Sequence, residues 1–168
     1  HRRGLELHAW FNPYRARYKG AKGSSAANHI SRTQPSLVKS YNGFQWLDPA
    51  EPAAANHSLN VILDVTRRYD VDGIHIDDYF YPYPDNKRTS FPDEASWNKS
   101  KTKMSRKDWR RMHINNFIKR IHAEIHKVKP HVKFGISPFG IWRPGYPKQI
   151  KGLDAYDELY ADARLWLR

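Results

Sequence analysis

Two junctions, each passing from a helical pattern to a strand within about three residues, constrain this chain more than any other feature. Ala55, Leu59, Ile62, Leu63 and Thr66 recur at helical spacing up to about Tyr69, and after Asp70–Asp72 the run GIHI alternates as a strand does. The second helical pattern carries Trp109, Met112, Phe117, Ile118, Ile121, Ile125 and Val128 up to Pro130, with VKFGIS over 132–137 directly behind it. Strand-to-helix connections, by contrast, run to a few tens of residues. A strand that returns to its sheet through a helix lies parallel to its predecessor. Long loops gathered at the carboxyl ends of parallel strands are the habit of a (β/α)₈ barrel, whose sites are built there.

The strand faces support that choice. Residues two apart share a face, so Gly73, His75 and Asp77 lie together while Ile74 and Ile76 take the other side. An earlier strand, Leu5 to Asn12, sets Leu5, Leu7, Ala9 and Phe11 against Glu6, His8, Trp10 and Asn12. Strands of an open, doubly wound sheet are apolar on both faces; polar inward faces suit a barrel whose interior opens into a site. The fold expected is therefore α/β, a partial TIM barrel. A complete barrel takes about 250 residues and this chain has 168, so residues 1–168 read as the central part of one barrel domain. His1-Arg2-Arg3-Gly4 reads as the end of a preceding helix, and a last amphipathic helix is expected from about Leu153. Three strands alone would leave open edges, so the isolated piece is expected to be marginally stable.

Helix starts are expected at Asp48-Pro49-Ala50-Glu51, with Asp as N-cap and Pro first, and at Ser105 with Asp108. The connections from Tyr14 to Asp48 and from Pro84 to Ser105 read as long loops, the second with a short turn near Asp93 to Trp97. No cysteine is present, which excludes disulfides and thiolate chemistry. No run of about 18 apolar residues could span a membrane. Lys and Arg exceed Asp and Glu by 29 to 17, a net charge of +12 that favours anionic partners. The densest basic run, Lys99, Lys101, Lys103, Arg106, Lys107, Arg110 and Arg111, reads as a solvated face. No nucleic-acid recognition motif accompanies the charge, and nucleic acid is not an expected partner.

The segments LELHAWFNPYR (5–15), VDGIHIDDYFYPYP (71–84), KFGISPFGIWRPGYP (133–147) and DELYADARLWLR (157–168) closely resemble the bacterial glycosyl hydrolase-like family 10. The likeness runs in order along essentially the whole chain. It implies a TIM barrel of which these would be the third to fifth strands, and glycoside hydrolysis. A member with a known role resembles a hydrolase of peptide-free peptidoglycan glycan strands, and members are commonly exported or envelope-anchored. Asp72-Gly73-Ile74-His75-Ile76-Asp77 is also similar to the fourth-strand segment of α-amylase-type glycosidases, whose final Asp is the nucleophile. That role would fall on Asp77. The same enzymes place an acid/base Glu at the end of the fifth strand, where this chain has Ser137-Pro138, so their mechanism does not transfer whole.

Glycoside cleavage needs two carboxyl groups, one protonated and one ionised. Asp77 and Asp78 are the catalytic candidates, although adjacent residues of a continuing strand point apart, and a second carboxyl could come from another strand. His8, Trp10, Asn12, His75 and Ser137 are the candidates for positioning sugar from the strand ends. Flat rings at Tyr79, Tyr81 and Trp142, with Tyr14 and Phe139 also at strand ends, would stack on sugar or pack loops. Arg15 and Arg143 would grip a substrate carboxylate or brace loop carboxylates. His8, His75, Asp77 and Asp78 also admit a metal-dependent deacetylase or amidohydrolase, though no HxH or HExxH spacing supports a metal site. A non-catalytic glycan-binding barrel is the third class. No cofactor is expected, and the expected partner is a polysaccharide.

Overall fold

The computed structural model describes residues 3–167 and is a mixed α/β structure. Its centre is a parallel sheet of β1 (His8–Phe11), β5 (Gly73–Ile76) and β6 (Lys133–Ile136), in the order β1-β5-β6. The register pairs His8 with Gly73, Trp10 with His75, and His75 with Gly135. Helices α2 (Pro52–Arg68) and α4 (Arg106–Val128) form the crossovers and pack against each other. Right-handed crossovers place both on one face of the sheet, where Ile74 and Ile76 are fully buried among Leu59, Ile62, Ile114, Ile121 and Ile125. Truncating a residue such as Ile121 to alanine costs about 2–5 kcal/mol in such a core. The opposite face, carrying His8, Trp10 and His75, stays uncovered among the described residues. The helix end expected over His1–Gly4 falls in part on His1 and Arg2, outside the described residues.

The α4 start is as expected: Ser105 accepts from the Asp108 amide at 3.1 Å and closes the first turn. The α2 start is not. Asp48 is fully buried, accepts from the Ala50 amide at 3.0 Å and from the Ser96 hydroxyl at 2.6 Å, and the helix begins only at Pro52. Asp48 caps a turn and anchors α3 (Glu94–Ser100), so its side chain is not free to cap the helix. The buried stripe of α2 accordingly begins at Ala54, with Ala55 only half-buried.

The connection after β1 is not a loop. It folds into a second, antiparallel sheet of β2 (Arg15–Arg17), β3 (Val38–Tyr41) and β4 (Phe44–Leu47), in the order β2-β4-β3, with the short helix α1 (Ile30–Thr33) between β2 and β3. Asn42 and Gly43, at φ +46° and +79°, make the two-residue turn joining β3 to β4. Nor does one helix close the chain. α5 (Ala155–Glu158) and α6 (Ala163–Trp166) are capped by Asp154 and Asp162, and Tyr160 at φ +57° breaks the path between them.

The basic run is a solvated face only in part: Lys99, Lys101, Lys103 and Lys107 are exposed, but its arginines turn inward. Arg110 and Arg111 are only 4% and 5% exposed. Arg110 grips the fully buried Asp93 through two bonds of 2.7 and 2.6 Å, and Arg106 binds the same carboxylate. Arg111 bonds Asp108 at 2.5 Å and Asp157 at 3.2 Å. Desolvated arginines of this kind are tolerated only when paired.

Candidate functional site

Asn12, Asp77 and Ser137 each follow the last residue of a parallel strand, so the sheet register alone brings them to one edge. Two glycines open the face below. A Cβ on Gly73 would lie 2.6 Å from the His8 ring, and one on Gly135 would lie 3.2 Å from His75 Nδ1. Each imidazole thus lies over the backbone of the neighbouring strand. His75 Nε2 and the Ser137 hydroxyl share a 2.9 Å hydrogen bond. His8 faces Glu6 at 3.0 Å, and Glu6 also binds Lys133 at 2.6 Å. Trp10 stands 60% exposed beside this row.

Asp77 is the centre of the edge. Its carboxylate accepts from Asn12 Nδ2 at 3.4 Å and from the Tyr79 amide at 3.2 Å. Asn12 Oδ1 in turn accepts from the Arg15 amide at 3.1 Å, and the Arg15 guanidinium lies over the Tyr79 ring, 5.4 Å from its centroid. Burial raises Asp77's hold on its proton. The Asp78 charge adds to this, while the Tyr79 amide, Arg15 and Asn12 act against it. Asp78 is only 7% exposed and accepts from the Tyr83 hydroxyl at 2.5 Å. That phenol is itself held protonated, first by burial and then by its bond to Asp78.

The aromatic candidates divide. Tyr79 and Tyr83 pack at a tilt with centroids 5.2 Å apart and Phe139 lies beyond Tyr83, making a half-buried row of rings beside the two aspartates, backed by the fully buried Trp46 beyond Tyr79. Tyr81 is not part of it. It is fully buried against Phe91, Tyr160 and the Arg110 guanidinium, so no ligand reaches its ring. Tyr14 is likewise core, packed on Phe117. Trp142 donates its indole N–H to Asp162 at 3.2 Å, and Arg143 lies 3.5 Å from Asp154 and over the Tyr156 ring. These two belong to a separate cluster that braces the loop after β6. Arg143 thus takes its bracing role.

Sequence reasoning missed Tyr83, although the spacing Tyr79, Tyr81, Tyr83 displayed it. It also missed the Asp93–Arg110 pair, whose partners lie 17 residues apart. Among the described residues, no group of three or more His, Asp, Glu or Cys side chains is arranged to hold a metal ion. No helix among them is long and apolar enough to cross a membrane.

Comparison with known sequences gives the arrangement a context. The family model described as Glycosyl hydrolase-like 10 matches residues 1–168. The protein named Glycosyl hydrolase YngK, of Bacillus subtilis (strain 168), is 40% identical over 176 residues, covering 100% of this chain and 34% of the relative. Glycosyl hydrolase DigH of Escherichia coli (strain K12) is 34% identical over 182 residues, covering 99% of this chain and 41% of the relative. The chain therefore spans well under half the length of these curated relatives.

Proposed function

The chain belongs to the glycosyl hydrolase-like 10 family, and from that premise we propose that it forms the catalytic edge of a glycosidase acting on a bacterial cell-wall-type amino-sugar polysaccharide. Its three parallel strands would be consecutive strands of a TIM barrel completed by the rest of the full-length protein, in an exported or envelope-anchored enzyme. The observation that carries the reading is Asp77, seated at the carboxyl end of the central strand with its proton affinity raised by burial.

A glycosidase needs one carboxyl group still protonated near neutral pH to donate to the leaving oxygen. The direction of Asp77's shift, toward keeping its proton, favours that task over that of an ionised nucleophile. Asn12 and the Tyr79 amide fix its orientation. Asp78, pinned by Tyr83, acts through Asp77 as a positioning residue whose charge helps Asp77 keep its proton. The reacting partner carboxyl then comes from another strand end of the full-length protein. Tyr79, Tyr83 and Phe139 offer flat faces to sugar rings, with Trp10, His75 and Ser137 lining the approach below.

The test is release of new reducing ends from purified, peptide-free peptidoglycan glycan strands by the full-length protein. Wild type is compared with Asp77→Asn, each with and without EDTA. The reading expects cleavage by wild type in both buffers and a loss of about 10²–10⁴-fold in the variant. Acetate release without reducing ends, abolished by EDTA, would instead identify a metal-dependent deacetylase. Retained binding without any cleavage would identify a glycan-binding barrel.

A further inference from the structure

From Leu7 to Leu47 the chain contains no Asp or Glu, yet it carries Arg15, Arg17, Lys19, Lys22, Arg32 and Lys39. This stretch is β1 and the small antiparallel sheet with its loops. Among the described residues none of these six cations has a carboxylate within ion-pair distance. Arg106, Arg110 and Arg111 in the first turns of α4, by contrast, are each neutralised by a carboxylate. A 41-residue stretch that carries cations and no acid of its own leaves a standing positive potential over this surface.

The surface also has shape. Arg17 donates to Ser25 Oγ at 2.7 Å, to Ala21 O at 3.2 Å and to Gly23 O, which holds the loop around Lys19 and Lys22 in place. His29 Nε2 contacts Ala16 O at 3.1 Å and ties the helix bearing Arg32 to β2. Tyr18 lies 54% exposed among them, its ring edge-on to Phe44. The Arg15 guanidinium sits 6.0 Å from the Tyr18 centroid and 5.4 Å from the Tyr79 centroid. It therefore bridges the basic surface to the residue whose amide holds Asp77.

We propose that this acid-free surface, running from Arg15 across Tyr18 and Lys19 to Lys22 and Arg32, is a docking track for a glycan strand bearing repeated carboxylate groups. The inference rests on the glycosidase reading for the identity of the polymer. Exposed rings stack on sugars, and unpaired cations at intervals match a carboxylate on successive units. The continuity through Arg15 leads a strand seated at Asp77 onto the track, which favours a substrate polymer over an unrelated polyanion.

The test measures equilibrium binding by full-length Asp77→Asn protein, so that cleavage does not consume the probe. The probes are peptide-free peptidoglycan glycan strands and the same strands with their carboxyls reduced to alcohols. The carboxylated strands are expected to bind about 10-fold more tightly, and added Lys19→Gln, Lys22→Gln and Arg32→Gln to erase that preference. A charge-matched control, Arg67→Gln, Lys101→Gln and Lys119→Gln, retains it. Equal binding of both probes, equal loss in the control, or equally tight binding of single-stranded DNA would overturn the proposal. Wild-type cleavage is read separately. Cleavage without any carboxylate preference sinks the track and leaves the glycosidase. Carboxylate-dependent binding without cleavage does the reverse.

Discussion

The connections that follow β1 and β5 are of similar standing in the fold, yet they treat charge in opposite ways. After β5, the charges that reach the core are compensated: Asp93 is sealed between Arg110 and Arg106 and Asp78 is capped by Tyr83, while at the rim Arg88 binds Glu158 at 2.9 Å. From Leu7, through β1 and the connection behind it, there is no acid for 41 residues, and the cations are shared only with backbone oxygens, hydroxyls and rings. The difference separates a connection stapled to the core by buried ions from one whose charge is turned outward. Asp77, at the root of the stapled connection, is held by Asn12 from the other, so the proposed chemistry sits where the two meet.

The largest effect expected from this contrast is on stability. Arg110→Met leaves Asp93 buried with its main partner gone and should cost about 3–5 kcal/mol in denaturant unfolding of the full-length protein. Lys22→Gln should stay within about 0.5 kcal/mol; comparable costs at both sites would erase the contrast. Ser96→Ala strips a hydrogen bond from buried Asp48 and should cost about 1–3 kcal/mol. Burial already raises Asp48's hold on its proton, and Ser96 opposes that rise, so the penalty should deepen as pH climbs.

At the meeting point the expected effects are shifts in pH dependence. Asp78→Asn removes a charge that raises Asp77's proton affinity, so the high-pH limb of cleavage should move to lower pH with kcat largely kept. A loss of about 10²–10⁴-fold would instead make Asp78 a reacting carboxyl. Asn12→Ala removes a bond that stabilises the Asp77 carboxylate, and the limb should move upward. The smallest effect is again on stability. As pH rises the unfolded chain releases the Asp77 proton before the folded one does, so wild-type stability falls through that window. Asp77→Asn should therefore be at least as stable as wild type at neutral pH, the difference vanishing below the ordinary aspartate range. A variant destabilised at neutral pH but not in acid would reverse the assigned sign.

What could be read from the sequence followed the range of each interaction. The parallel strands and the α4 cap were legible because alternation and Ser105/Asp108 act within a few residues. The Asn42-Gly43 hairpin was equally local, and its signal between β-forming runs was simply not used. The α2 start was ambiguous because Pro49 and Pro52 both follow an acidic residue, and only Ser96, 48 residues away, removes Asp48 from capping. Arg110 and Arg111 looked solvated because their partners at Asp93 and Asp157 are distant in the chain. Tyr81 looked like a site residue because Tyr79, Tyr81 and Tyr83 share a spacing. Burial against Phe91 and Tyr160 decides otherwise.

The most direct measurement is kcat for glycan-strand cleavage across pH, in the full-length protein and in Asp77→Asn. The account predicts a wild-type rate that falls as pH rises through the titration of Asp77, and a variant about 10²–10⁴-fold slower that lacks that limb. A variant that keeps both the wild-type rate and its limb would place the chemistry elsewhere and contradict the account.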